Sequence, residues 1–362
     1  MTTEIVTVSL GGARYTAWMR VMIRASLKEA ARAFRLDVAS ESGPIQTAAA
    51  FRLFAPVDIL AGGDLALRGF VDRRQARIGP EDSSLAISGR SLTADLIDCS
   101  AVHKTGEFRS KTVLEIAQAL AKPFGVTCSC RGRLRPLPVA RIAPGETVFR
   151  FVERLCRGEG LTLTGAADGG LTIIDGTVLT DKHAGGVIEG VNLYTGSSDF
   201  NGSNRYSEVR VLGQAGTRSG ADALEIEAIA RDQGVGRYRP LIVIDERDAD
   251  RDTVRRRARG RRDRAAGDGI SADVTVPGWR DWGGRLWTPG FKVWTESPTL
   301  GLAQDMLIRA VTLTQSGVGG AGGGTEAQLD LVDPRAFAAA AGKGAKSAEG
   351  WALDDSAAED VA

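Results

Sequence analysis

Apolar and polar positions alternate strictly at the start of the chain. Val6, Val8 and Leu10 stand between Thr7 and Ser9, Gly11 and Gly12 supply a turn, and the pattern resumes from Tyr15 to Trp18. Val21 and Ile23 then alternate with Arg20, Met22 and Arg24, and Phe34, Leu36 and Val38 form another set. A period of two is the mark of a half-buried strand. The pattern returns over Leu65–Ile78 and, after a polar GPEDSS turn, at Leu85–Ile87. Strands and turns alone over about residues 1–95 predict a small barrel or sandwich.

The period changes near residue 100. Thr112 and Glu115 make a capping box, in which the threonine oxygen takes an orphan amide and the glutamate reaches back to the cap. Leu114, Ala117, Leu120 and Ala121 follow on one helical face, and Pro123 ends the helix. Thr147 opens a second helix with a stripe of Val148, Phe151, Val152 and Leu155, closed by Gly158 or Gly160. Leu161–Leu163, AADGG and Leu171–Ile173 read as a β-hairpin. Residues 101–177 are therefore a small α+β unit.

From residue 186 strands return, around Tyr206 to Val211, Leu241–Ile244, Val274–Val276, Leu286–Trp294, Leu307–Thr314 and Gln328–Val332. Residues 215–238 are polar and read as a loop or excursion, 248–266 as a basic helix, and the tail from 336 as disordered. Two segments resemble each other: 67–91 and 307–334 are each a strand, a polar turn and a strand of like apolar phase. Segments 15–40 and 190–213 are also compatible. The organisation expected is mainly β: a first β-barrel over 1–98, an α+β insert over 99–180, and a second, similar barrel over 181–335 that carries the excursion and the helix. A tail over 336–362 follows.

Composition narrows the classes of function. A chain of 362 residues exceeds what one ordinary core serves. Its 43% hydrophobic and 25% charged residues are globular values. A net charge of +1 points to neither nucleic acid nor a membrane surface. The N-terminus lacks the basic-then-apolar pattern of a signal peptide, and no run of 18 apolar residues occurs, so folding in a reducing cytoplasm is expected. Cys99, Cys128, Cys130 and Cys156 make no disulfide framework and have no zinc spacing; buried structural thiols are expected. No cofactor or metal is implied.

Candidate chemistry is sparse. His103 and His183 belong to no metal or nucleophile motif and read as solvated or locally bonded loop residues. Asp95 and Asp98 read as a cap or as partners of Arg90. GVGGAGGG at 317–324 lacks the Lys-Ser or Lys-Thr of a phosphate cradle and reads as a hairpin tip. Residues 247–264 hold nine arginines. Phosphate binding is one reading. A solvated helix with i,i+4 acid–base pairs is the better one, because no aromatics are interleaved. Trp279, Trp282, Trp287 and Trp294 are four of the chain's six tryptophans. They stand in a strand–turn–strand pattern that favours a barrel seam over a sugar platform. Trp287 and Trp294 are expected to be largely buried.

Four stretches resemble the baseplate hub proteins of Mu-like contractile-tail phages, sometimes called tail protein P. They are GRSLTADLIDCSAV at 89–102, KTVLEIAQALAKPFGVT at 111–127, RYRPLIVIDE at 237–246 with the arginine helix after it, and WRDWGGRLWTPGFKV at 279–293. They occur in consistent order over roughly residues 5–337. The 215–235 excursion and the Ala/Gly/Asp-rich tail depart from the family.

The resemblance implies a non-enzymatic homotrimer at the centre of a virion's tail baseplate, assembled in the host bacterial cytoplasm. Two barrels per chain make a pseudo-sixfold ring. That ring joins the hexameric tail tube to the trimeric central spike, contacts baseplate wedge proteins and encloses a channel through which DNA passes without specific binding. No membrane insertion is implied. The four tryptophans then close the second barrel and brace it against a neighbour. The rival readings are a muramidase-like cell-wall hydrolase, a carbohydrate-binding module and the spike-type hub of a contractile secretion system. Chains of that last class continue into β-helix repeats, and none occurs in this sequence.

Overall fold

A computed structural model of the chain describes residues 4–38, 51–78, 83–214, 226–248, 251–317 and 324–338. The protein is mainly β. The N-terminal part holds strands β1 (Val6–Leu10), β2 (Ala13–Tyr15), β3 (Arg20–Ser26), β4 (Ala33–Val38), β5 (Pro56–Ala61), β6 (Asp64–Ile78) and β7 (Ser83–Ser91). Their alternation puts Val21, Ile23, Phe34, Leu36, Ile59, Leu67 and Ile87 on one buried face. The order across the sheet is β3-β4-β7-β6-β5-β1-β2.

The α+β unit follows, with α1 (Ala94–Asp98), β8 (Glu107–Lys111), α2 (Val113–Ala121), β9 (Cys128–Arg131), β10 (Leu137–Arg141), α3 (Val148–Glu159), β11 (Leu161–Gly165) and β12 (Leu171–Asp175). Both predicted caps form. The Glu115 amide donates to Thr112 Oγ1 at 3.2 Å, the Thr112 amide donates to Glu115 Oε2 at 2.8 Å, and the Arg150 amide donates to Thr147 Oγ1 at 3.3 Å. Gly160, at φ 76°, ends α3 in the left-handed region. The facing stripes of α2 and α3 bury Ile116, Leu120, Phe151 and Val152 against Leu163 and Ile173. Asp98 pairs with Arg90 at 2.6 Å. Arg32 ties the unit to the first sheet, its guanidinium donating to the carbonyls of Gly165 and Ala66. Burial pushes the pKa of Arg32 down to about 10, against the opposing pull of Asp168.

The C-terminal part holds β13 (Lys182–Ile188), β14 (Thr195–Phe200), β15 (Glu208–Gln214), β16 (Ile226–Arg231), β17 (Pro240–Asp248), α4 (Arg251–Asp268), β18 (Ile270–Pro277), β19 (Lys292–Ser297), β20 (Leu302–Ser316) and β21 (Gly324–Val332). Four sequence expectations change here. The excursion carries a strand, because Ile226–Arg231 pairs antiparallel with β15; residues 215–225 lie outside the described ones. The basic helix begins at Arg251 and runs to Asp268. Segment 190–213 matches 15–40 only in its first strand: β14 stays in the main sheet, while β15 leaves it for a separate three-stranded sheet with β16 and β17. Helix α4 covers that small sheet, packing Val254 and Ala258 on Val209, Val211 and Ala230. The predicted tail begins too early: Ala336 and Phe337 are buried in a short 3-10 helix, Pro334–Phe337, and of the tail only the residues beyond Ala338 lie outside the described ones.

The likeness of the two hairpins reaches much further than the sequence suggested. In the N-terminal part, β3-β4-β7-β6-β5 is antiparallel throughout. In the C-terminal part, β14-β18-β21-β20-β19 is antiparallel throughout, in the same chain order. Strands β6 and β20 are both 15 residues long, and β7 and β21 are both 9. The register slips by one residue near the middle of the long strand in both, between Val71 and Arg73 and between Ile308 and Ala310. The sixth strands differ in direction: β1 runs antiparallel to β5, while β13 runs parallel to β19.

The two five-strand units are not separate. Strand β3 pairs antiparallel with the second half of β20, from Ser26 opposite Ala310 to Arg20 opposite Ser316. This junction makes one 13-stranded sheet. A single core, with Ile23 and Leu36 from one unit and Val311 and Leu329 from the other, runs beneath it.

Candidate functional site

The tryptophan stretch is the loop from β18 to β19. Residues 286–291 do not form the expected strand; Leu286 makes only an isolated bridge to Arg280, and pairing resumes at Lys292. Pro289 and Gly290 supply the reason, since proline has no amide for a ladder and Gly290 sits at φ 88°.

Two of the four indoles are core. Trp279 is 1% exposed, and its Nε1 donates to the Thr314 carbonyl at 3.0 Å. Trp287 is 4% exposed, and its amide donates to the Trp279 carbonyl at 2.9 Å. Trp294 is only half-buried, against expectation; its Nε1 reaches Glu296 Oε2 at 3.0 Å, so one edge must stay near the polar surface. Trp282 is 61% exposed and lies over Gly185, where a Cβ would stand 2.3 Å from the indole.

Beneath the loop is a polar centre that the sequence reading missed. His183 is buried on β13 and bonded to a distant residue, not the solvated or locally bonded loop residue expected. Its Nδ1 lies 2.8 Å from Asp281 Oδ2, and its Nε2 accepts from the Thr288 amide at 3.2 Å. That amide can only donate, so the neutral ring carries its proton on Nδ1. Trp287 and Phe291 flank the ring at 4.8 and 5.0 Å between centroids. Asp281 also accepts from the amides of Ala184, Gly283 and Arg285 at 3.0, 2.9 and 2.9 Å. Burial lowers the pKa of His183, more than Asp281 raises it. Burial opposes the charge on Asp281, but its hydrogen bonds from His183, Arg285 and Ala184 together hold its pKa below the ordinary value.

A histidine–carboxylate pair supplies two of the three members of a hydrolytic triad. Here the nitrogen that would serve a nucleophile is already occupied by backbone, and the ring has no solvent face. The pair fastens the loop to β13. The Asx-type turn at Asp281, ahead of Gly283 and Gly284, was a legible hint for that carboxylate; nothing local marked His183.

Arg280 fastens the same loop to the other unit. Its guanidinium donates to Glu4 at 3.1 Å, to Asp64 at 2.6 Å and to the carbonyls of Ala61 and Gly62 at 3.1 and 3.3 Å. The hydrogen bond to Asp64 leads the causes that raise its pKa.

Other expected features fall as follows. Cys156 is buried and Cys128 and Cys130 half-buried, but Cys99 is exposed, contrary to a set of buried thiols. Burial pushes the Cys156 thiol up to about 12 and Cys128 to about 11. His103 lies exposed beside Thr105. Among the described residues no His/Cys/Asp/Glu group is arranged to hold a metal ion, and no helix is long and apolar enough to cross a membrane. On α4, Arg255 pairs with Asp252 at 3.3 Å at the surface. Arg262 does not lie on an exposed face: it is 7% exposed, donating to the Arg231 carbonyl at 3.3 Å and pairing with Asp263 at 2.8 Å.

The chain is a doubled antiparallel unit in which the polar groups described above brace strands and loops. Comparisons with known proteins give the family. The family described as "Mu phage baseplate assembly protein GpP-like, N-terminal" matches residues 5–91. "Baseplate hub protein gp44-like, second domain" matches 93–175, "Tail protein NMB1110-like, third domain" 205–260, and "Mu phage baseplate assembly protein GpP, fourth domain" 251–340. Baseplate hub protein gp44 of Escherichia phage Mu is 30% identical over 325 residues, 85% of this chain and 83% of that one. The crystal structure of the 43 kDa tail protein of prophage MuSo2 from Shewanella oneidensis superposes with a TM-score of 0.78 at 27% identity, covering 92% of this chain and 99% of that one. The tail protein from Neisseria meningitidis MC58 shares the fold, with a TM-score of 0.77 at 21% identity, covering 93% and 100%. The chain belongs to the Mu baseplate hub family. It is a baseplate hub protein of a Mu-like phage tail, located in the tail baseplate of the virion.

Proposed function

We propose that three copies of the chain close a ring of six five-strand units at the centre of the baseplate. The ring joins the hexameric tail tube on one side to the trimeric central spike on the other, contacts the wedge proteins and encloses the channel for DNA. The observation that carries this is the duplication inside one chain: the two units share strand order, the lengths of their two longest strands and a one-residue register slip between those two strands. A protein that must match a sixfold partner to a threefold one needs two equivalent units per subunit. The hub works as a scaffold, not an enzyme, without a cofactor or membrane insertion, and is assembled in the host bacterial cytoplasm. The exposed Trp282, with Trp279, Trp287 and Trp294 behind it, braces the second unit against a neighbouring copy.

Light scattering on the purified protein tests the ring. The expected mass is three times the 38.2 kDa of the chain. A strictly monomeric species at micromolar concentration and physiological salt overturns it, and turnover of peptidoglycan by the purified protein overturns the scaffold reading.

A further inference from the structure

The junction inside the chain specifies how the ring closes between chains. Within one chain, the edge strand of the first unit, β3, pairs with the second half of β20 in the second unit. The equivalent of β3 in the second unit is β14, and the equivalent of β20 in the first unit is β6. Among the described residues β14 pairs only with β18. Strand β6 pairs with β5 only as far as Phe70 opposite Pro56, and beyond that no described strand lies on that edge. A backbone edge left open in this way is a template for another strand.

We propose that β14 of one copy adds antiparallel to residues 73–78 of β6 in the next copy. The sheet then continues unbroken around the ring. This rests on the ring reading and adds the contact that closes it. The common register slip fixes the alignment. Arg73 corresponds to Ala310 and Ile78 to Gln315; Gly196 corresponds to Val21 and Asp199 to Arg24. Carrying the β3–β20 register across places Gln75 opposite Asp199, Arg77 opposite Ser197 and Ile78 opposite Gly196.

The chemistry at those positions is complementary. Asp199 comes to lie diagonally between Arg73 and Arg77, where opposite charges favour pairing across strands. Its counterpart within the chain already makes such a cross-strand contact, Arg24 Nη1 to Thr312 Oγ1 at 3.5 Å. Ile78 is 92% exposed in the single chain, the most exposed large apolar side chain among the described residues. Opposite Gly196 it meets no competing side chain.

The test is a disulfide between copies. Directly opposed antiparallel residues have Cα atoms about 4.5–5.5 Å apart, within the range a disulfide spans. In a Cys99→Ser background, Arg77→Cys with Ser197→Cys is oxidised and run on a denaturing gel without reductant. Covalent dimers and trimers are expected. The one-residue mismatch, Arg77→Cys with Ser198→Cys, should cross-link at least about tenfold less, because neighbouring residues point to opposite faces. Amide hydrogen exchange on the unmodified protein gives a second reading, with residues 73–78 and 195–200 slowing as the oligomer forms. A trimer by light scattering with no cross-link and no protection leaves the ring standing and overturns the strand pairing. A monomer overturns both.

Discussion

His183 and Asp281 lie 98 positions apart in the chain, and His183 Nδ1 meets Asp281 Oδ2 at 2.8 Å in the interior. The pair closes the tryptophan loop over β13 and makes the loop sensitive to pH. The ordinary pKa of about 6.5 for histidine applies to the unfolded chain, and burial lowers it in the folded one. Stability from the neutral ring is complete above about pH 6.5 and is lost as pH falls through the folded value, because only the unfolded state takes the proton readily. The melting temperature should fall between about pH 7 and pH 5 more steeply for the natural protein than for His183→Gln. Equal slopes would show that His183 is not the titrating group.

Trp287 and Trp282 should separate core from surface. Trp287→Ala removes a buried indole packed on His183 and is expected to cost about 3–5 kcal/mol by chemical denaturation. Trp282→Ala should change the stability of the single chain by less than about 0.5 kcal/mol while weakening self-association, read as a shift in the concentration at which the oligomer dissociates. A large loss of single-chain stability would mean that Trp282 acts within the fold, not between copies.

Gly185 should tolerate no side chain. It sits at φ +74°, and a Cβ there would meet the Trp282 indole at 2.3 Å. The left-handed backbone alone costs a residue with a Cβ about 1–2 kcal/mol. Gly185→Ala is expected to lower stability by at least that much and to shift Trp282 fluorescence toward the solvent-exposed limit. An unshifted emission spectrum would mean that the indole is held by other contacts.

The arginines of α4 should divide by position. Arg262→Ala should lower the melting temperature by several degrees, since it strips a buried donor from the Arg231 carbonyl. Arg255→Ala should have little effect, its exposed pair with Asp252 being worth about 0–1 kcal/mol. Under the ring proposal Arg255, Arg256, Arg259 and Arg262 face away from the channel, because phosphate contacts repeated by symmetry would hold DNA that has to move. No duplex retardation is expected in a gel-shift at moderate salt. Tight binding lost on Arg→Ala changes in α4 would indicate a DNA-handling role.

Much of this protein was written in short windows of its sequence. The period of two set strands such as β3 and β4, because successive side chains point to opposite faces. Thr112 and Thr147 set the starts of α2 and α3, because a cap needs only residues three apart. The hairpins at 67–91 and 307–334 announced the repeat, and the four quoted stretches carried the family likeness. Tertiary structure decided the rest. The pairing of β3 with β20 joins segments nearly three hundred positions apart, and its register depends on the bulge at Arg309 and a shared core. Arg262 points inward because the small sheet under α4 offers it the Arg231 carbonyl, which no helical pattern records. His183 is buried because Asp281 and Thr288 arrive from a distant loop to occupy both its nitrogens. Local periodicity depends on neighbours along the chain, whereas an edge, a register or a buried hydrogen bond depends on which distant surface the folded chain brings to it.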